Sequence, residues 1–373
     1  FLEEMDPPNG YHSTTWAWRN TLKGQSYASK LYKKFPVQKT VLIKKPIGIG
    51  ELKWYITHDP PKQFSAIVPW GRIYGSSGSV IAPDNKLLWD VSFEYLKPAR
   101  KHSIFEKEKL PPVSYTGKTL APITFQLSSN YFHWMFDVLP RIHLLRQIPI
   151  EIDSYVINRG KYYMKEYCQF QEESLGLLGI PKEKLIVCNS DTHILARQVV
   201  VTSLGGFTGH VSNDACQFLR KEFLRDNNKK HWEGYERILI SREDAFHRKL
   251  LNEDEVFEIL SKKYGFKMVK LSTLSFEDKI DLFQSAEVIV SPHGAGLTNI
   301  VFCNPGVKVI ELFAPTYLIG CFYIISQHVG LDYYYLIGED TPPDPKRGLH
   351  SDPIQIRIDK LEKTLELAGL KKQ

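Results

Sequence analysis

Between Arg237 and Leu336, short apolar runs alternate with amphipathic stretches, and this alternation constrains the chain more than any other feature. Arg237–Ser241, Phe266–Leu271, Glu287–Val290, Val307–Phe313 and Asp332–Leu336 read as strands. Asn252–Tyr264, Ser275–Ser285, Gly296–Cys303 and Ile319–Val329 read as the helices between them. Asn252 and Ser275 are plausible starts and Gly265 a stop, and the acids Glu277 and Asp278 suit the positive end of a helix. Strands alternating with helices predict βα units on a parallel sheet, hence a doubly wound domain over about 235–340.

The N-terminal half is mixed and less regular. Thr40–Ile43, Ser65–Pro69, Ser79–Ile81, Leu87–Val91, Ile123–Leu127, Ser154–Ile157, Leu185–Val187 and Gln198–Thr202 read as strands, and Asn130–Gln147 and Tyr163–Leu178 as helices. Gly205, Gly206 and Gly209 mark a linker. The expected division is an N-terminal α/β domain over 1–205, with 1–60 poorly assigned, and a Rossmann-like domain over 206–345. A terminal amphipathic helix in 346–373, with Ile358, Leu361 and Leu365 at helical spacing, is expected to pack back onto the N-terminal domain.

Charge narrows the partners. The formal charge of +6 is uneven, because residues 18–53 hold nine basic groups against the single acid Glu51. The rest is close to balanced, which excludes a nucleic-acid footprint spread over a domain. The stretch 18–53 could instead rest on an anionic membrane surface, or be a solvated lysine-rich face. Five cysteines at wide spacing form no Cys-x-x-Cys pair, so buried reduced thiols are expected rather than a zinc site. The uncharged stretches 288–307 and 312–331 carry proline and polar residues and read as buried strand–loop–helix units rather than membrane spans.

Three groups of residues could carry chemistry. Ser291-Pro-His293-Gly294-Ala295-Gly296-Leu-Thr-Asn299 follows the third strand of the doubly wound region and opens a helix, where free backbone N–H groups favour an anion. Arg242 and Arg248, after the first strand, would share that sheet edge, and two guanidinium forks suit a diphosphate. Glu311, at the end of the fourth strand, could hold a ribose diol or pair with an arginine. Farther upstream, Asn130, His133, Asp137 and Arg141 form a polar stripe on a helix otherwise rich in Trp134, Phe136, Leu139 and Ile142. Buried polar groups must be paired or used, so the stripe is either a structural network or an active-site wall with a carboxylate or imidazole as general base. Pro140 would kink this helix or begin a new one.

In this order the motifs resemble glycosyltransferase family 61: His133-Trp134 with Asp137 and Pro140-Arg141, then Ile240-Ser-Arg242, then Pro292-His-Gly-Ala-Gly-Leu-Thr-Asn299 with Glu311. The resemblance covers roughly residues 65–340. It implies a GT-B fold of two Rossmann-like domains facing across a cleft, an inverting mechanism, and a nucleotide-sugar donor held mainly by the C-terminal domain. The expected donor site is Arg242, Arg248, His293, Gly294, Ala295, Gly296, Asn299 and Glu311. Asp137 is the first candidate for the base and His133 the second, with Asn130 and Arg141 on the acceptor side. Xylose, arabinose and N-acetylglucosamine are all compatible with the family, the donor being a UDP-sugar and the acceptor a glycan or glycoconjugate. No Asp-x-Asp motif lies at a loop between strands, so no metal or other cofactor is expected.

The alternatives are a nucleotide- or carbohydrate-binding protein that kept the fold without turnover, and a metal-dependent hydrolase using His133, Asp137 and His293. The second lacks ligand count. The odd cysteine count and the absence of Asn-x-Ser/Thr sequons favour a cytoplasmic enzyme, possible membrane association included. The alternative is a Golgi or endoplasmic-reticulum lumenal enzyme whose anchor lies outside this sequence.

Overall fold

The parallel sheet expected from the C-terminal alternation is present. The structure is a computed structural model that describes residues 3–36, 44–54, 62–158, 168–205, 210–224, 230–341 and 352–373. The chain divides into two units, residues 1–38 with 61–208 and residues 39–60 with 209–373. The expected strand Thr40–Ile43, the first turn of the expected helix at Tyr163–Tyr167, and the linker glycines Gly206 and Gly209 lie outside the described residues.

The second unit is built on six parallel strands in the order Lys267–Val269, Arg237–Ile240, Val288–Pro292, Lys308–Phe313, Asp332–Ile337 and Ile47–Ile49. Counted along the chain, the five C-terminal strands run 2-1-3-4-5, so the direction of winding reverses between Arg237–Ile240 and Val288–Pro292. In open α/β sheets, ligands sit at the carboxyl ends of the strands where this reversal occurs. Helices Glu253–Tyr264 and Phe276–Ser285 follow the sequence closely. The Ser275 hydroxyl accepts the Asp278 N–H at 3.0 Å, and Gly265 closes the other helix in the left-handed region at φ 73°. The sixth strand, Ile47–Ile49, carries no alternating signal and was not expected in this sheet.

The terminal helix corrects an expectation. Ile358–Leu367 packs on the second unit rather than the first, with Leu361 and Leu365 buried among Val256, Leu260, Tyr264 and Leu336. Its lead-in is fastened there too. The Asn252 side chain donates to the Ile356 carbonyl at 2.7 Å and accepts the Ile356 N–H at 3.1 Å. Amphipathic spacing gives a helix an apolar face, but not the sheet that receives it.

The first unit surrounds a ten-stranded mixed sheet. His193–Thr202 pairs antiparallel with Gln63–Pro69 and Arg72–Tyr74, and parallel with Ser114–Pro122 on its other side. Ser154–Asn158 and Leu185–Cys188 extend the parallel flank. This unit's sheet is therefore mixed, with its main parallel run on one side of His193–Thr202 and a short parallel pair, Tyr11–His12 with Leu87–Leu88, at its other end. The segment Ile123–Leu127 is not a strand. The strand lies upstream at Ser114–Pro122, and the Phe125 N–H is taken by the Asn158 side chain at 3.1 Å instead of a ladder.

The helix after it starts at Asn130, whose side chain accepts the Phe132 N–H at 2.9 Å. From Trp134 to Val138 it widens into a π turn, with the Leu139 N–H reaching the Trp134 carbonyl at 2.9 Å, and Pro140 opens the next helix, Pro140–Leu145. Pro140 thus begins a new helix where its missing N–H costs nothing.

The basic stretch is shared between the units. Arg19 and Lys34 lie over the Trp16 ring in the first, and Lys44 pairs with Asp332 at 2.6 Å in the second. All five cysteines are buried as free thiols. Among the described residues no helix is long and apolar enough to cross a membrane. Leu365→Ala should destabilise the second unit by about 2–5 kcal/mol. Hydrogen exchange should then accelerate in Lys308–Phe313 and stay unchanged in Gln63–Pro69.

Candidate functional site

Two loops meet at the carboxyl edge where the second sheet reverses its winding. The loop after Arg237–Ile240 is anchored by Glu253, at the start of the following helix. Its carboxylate accepts from the Ser241 hydroxyl and, at 3.1 Å, from the Arg242 N–H. The Arg242 guanidinium then folds inward, donating to the carbonyls of His247 at 2.8 Å and Arg248 at 3.3 Å. Arg248 holds a left-handed backbone, φ 54°, and its Nε donates to the His293 carbonyl at 3.2 Å, while its guanidinium lies 4.7 Å from the centre of the Tyr317 ring. The arginines expected to be free forks therefore also knit the two loops together.

The second loop follows Val288–Pro292. A Cβ at Gly294 would collide with Nη1 of Arg242, so only glycine lets this guanidinium lie against the backbone. The helix that follows is a 3₁₀ helix, Ala295–Phe302, whose first N–H groups have no partner within it. Asn299 is buried and donates to the Gly296 carbonyl at 3.0 Å, so it braces this turn.

His293 is the best-fixed group of the site. Its ring stacks on Phe313 at 5.2 Å, and Nδ1 donates to the Glu311 carboxylate, whose other oxygen accepts the Tyr333 hydroxyl. Glu311 is fully buried, so it holds His293 and is unavailable for a ribose diol or an arginine. The bond at Nδ1 leaves Nε2 as the ring's other polar atom. Burial pulls the His293 pKa below its ordinary value, with the two arginines adding to the effect and Glu311 opposing it. Burial and the like charge of Arg248 push Arg242 down to about 10. This edge is thus a partly desolvated cationic spot of the kind that an anion relieves.

In the first unit, the π turn places His133 and Asp137 four residues apart with Nδ1 2.7 Å from Oδ2. The Asp137 side chain is 2% exposed and that of His133 14%, so the imidazole is the outer member of the pair. Arg141 is buried. It donates to Thr202 Oγ1 and to the carbonyls of Pro122, Thr124 and Thr202 at 2.8–3.3 Å, and burial pushes its pKa down to about 10. It fastens strand ends to the helix rather than presenting a charge to an acceptor. Asn130, likewise, is a helix cap.

Residues 131–310 match the family model Glycosyltransferase 61. The chain carries a glycosyltransferase 61 domain. Among curated proteins it is similar to a "Beta-1,2-xylosyltransferase" of Arabidopsis thaliana, 30% identical over 132 residues, which cover 30% of this chain and 25% of that protein. It is also similar to a "Protein O-linked-mannose beta-1,4-N-acetylglucosaminyltransferase 2" of Canis lupus familiaris, 26% identical over 200 residues, 48% of this chain and 34% of that protein. An "EGF domain-specific O-linked N-acetylglucosamine transferase" of Mus musculus is 29% identical over 85 residues, 22% of this chain and 16% of that protein. The chain thus spans between about a sixth and a third of the length of these relatives.

The matched residues include the pair His133–Asp137 and, at the sheet edge, Arg242, Arg248, Glu253, His293 and Asn299, whereas Glu311, Phe313, Tyr317 and Tyr333 follow the last matched residue. Three residues here escape a reading of the sequence. Glu253 looks like an ordinary acid in the first turn of a helix. Tyr333 carries a weak signal, since it shares a sheet face with Glu311 across a parallel pair. Tyr317, in a loop, carries none. Among the described residues no three His, Cys, Asp or Glu side chains converge to hold a metal ion. Tyr333→Phe should leave a buried carboxylate oxygen without its donor and cost about 1–3 kcal/mol, read by urea denaturation.

Proposed function

We propose that this chain is an inverting glycosyltransferase of GT-B architecture, needing no metal, that moves a sugar from a UDP donor to a hydroxyl of a glycan or glycoconjugate. The carrying observation is the cationic spot of Arg242, Arg248 and His293 at the winding reversal of a parallel sheet, packed against the Gly294 backbone. The activities named for the relatives support a sugar of xylose or N-acetylglucosamine type, and arabinose fits the same family. The diphosphate would lie against the amides of 294–296, with both guanidinium charges meeting the charge that develops as it leaves.

Inversion is one in-line displacement. The acceptor oxygen attacks the anomeric carbon, the carbon–oxygen bond to the diphosphate breaks, and its electron pair leaves with UDP. The acceptor proton goes to a base. Burial favours His133 over Asp137 for that role, reversing the order expected from sequence. Nδ1–H is held by Asp137, so Nε2 receives the proton, and the carboxylate steadies the resulting imidazolium. His133→Ala should abolish transfer in a UDP-release assay while calorimetry still finds UDP bound. Retained turnover would remove the assignment. Arg242→Ala should weaken UDP binding by roughly tenfold or more, in keeping with the ~1.5–3 kcal/mol of a charge-assisted contact.

The pKa of His293 gives the sign of a pH effect. It is lowered in the free protein, so Nε2 is largely unprotonated near neutrality. A diphosphate beside it favours the protonated form, so binding should take up a fraction of a proton and strengthen as pH falls. Calorimetry of UDP binding in buffers of different ionisation enthalpy checks this.

A further inference from the structure

The first unit carries an aromatic platform that neither the sheet edge nor the His133–Asp137 pair uses. Trp70 is 52% exposed and Tyr115 is 55% exposed. Their rings lie 6.0 Å apart and within 21° of parallel. Trp18, by contrast, is core.

The backbone works to put these rings there. Trp70 interrupts what would otherwise be one strand from Gln63 to Tyr74. Both halves pair with His193–Thr202 in the same register, Pro69 opposite Gln198 and Arg72 opposite Leu195. At the interruption Trp70 takes a left-handed backbone, φ 54°, and still donates its N–H to the Arg197 carbonyl at 3.0 Å. That conformation is uncommon for a bulky residue and costs free energy. On the far side of His193–Thr202, the pairing with Ser114–Pro122 slips by one residue between Ala196 and Gln198. Bulges re-aim side chains. Two irregularities on either side of Arg197 thus bring Trp70 and Tyr115 together across the central strand. Arg197 itself is exposed.

The geometry points to a carbohydrate subsite at Trp70 and Tyr115. Two exposed, nearly parallel rings stacked on one another leave open aromatic surface for the C–H face of a pyranose. Arg197 beside them offers donors to its hydroxyls. The occupant is a neutral oligosaccharide. The choice of a glycan rests on the reading of the chain as a glycosyltransferase. The platform itself rests on its own geometry.

The test is binding without a donor. Cellotetraose, xylotetraose and mannotetraose are titrated in turn into the intact chain and followed by saturation-transfer NMR of the sugar C–H protons and by calorimetry. At least one should bind, and Tyr115→Ala should weaken it by about tenfold. Trp70→Gly suits the left-handed backbone, so it should keep the thermal midpoint and lose the binding together. UDP binding should be unchanged in both variants, so a failure here is distinct from a failure of the donor site. The subsite is overturned if none of the three sugars binds, or if binding survives both substitutions. It is also overturned if sedimentation shows the rings holding a second copy, with self-association lost in Trp70→Gly.

Discussion

A carboxylate inside a parallel sheet is costly unless its oxygens are engaged, and the edge of the second unit is arranged around that requirement. Glu311 sits fully buried on Lys308–Phe313, with His293 on one oxygen and Tyr333 on the other. Three adjacent strands are thereby tied by side chains as well as by their ladders. The imidazole cannot rotate without orphaning the acid, and so its remaining nitrogen has a fixed direction. Arg248 and Arg242 are then stacked outward from this fixed group through the His293 carbonyl and the Gly294 backbone. The positive charge at the edge is placed by a chain of contacts that begins in the core.

The two loops divide the work unequally. In the His293 loop the residues are small, and at Gly294 the backbone lies directly against the Arg242 guanidinium. In the Ser241–Arg248 loop the side chains do the structural work, with Glu253 fixing one end and the guanidinium of Arg242 gathering the other. An arginine whose guanidinium is already held by carbonyls is preorganised, so under the proposed reading little reorganisation is left for the moment a diphosphate binds.

Much of the second unit was legible because its strands and helices are local patterns with clear punctuation, such as Ser275 and Gly265. The loops followed, since a residue that trails a strand must lie on the sheet edge. The polar stripe from Asn130 to Arg141 was visible as a stripe, but its roles were not. Helical spacing brings Asn130 and Arg141 near His133 without saying that one is a cap and the other a clamp on Thr202 and Pro122. Glu311 was placed at the right edge with the wrong partner, because direction into the core depends on which face of the strand is covered. The Ile47–Ile49 strand and the seat of the terminal helix depend on contacts distant in sequence, which no local pattern encodes.

That strand has a consequence for the order in which the molecule can be made. Residues 39–60 belong to the second unit although the chain on both sides of them belongs to the first. Among the described residues Ile47–Ile49 pairs only with Asp332–Ile337, which is synthesised some 285 residues later. During translation the first unit can assemble its sheet while Ile47–Ile49 waits unpaired, and this strand docks as an edge of the second sheet only after Asp332–Ile337 has left the ribosome. Completion of the second unit is therefore reported by Ile47–Ile49, and loss of Asp332–Ile337 leaves that strand without its partner.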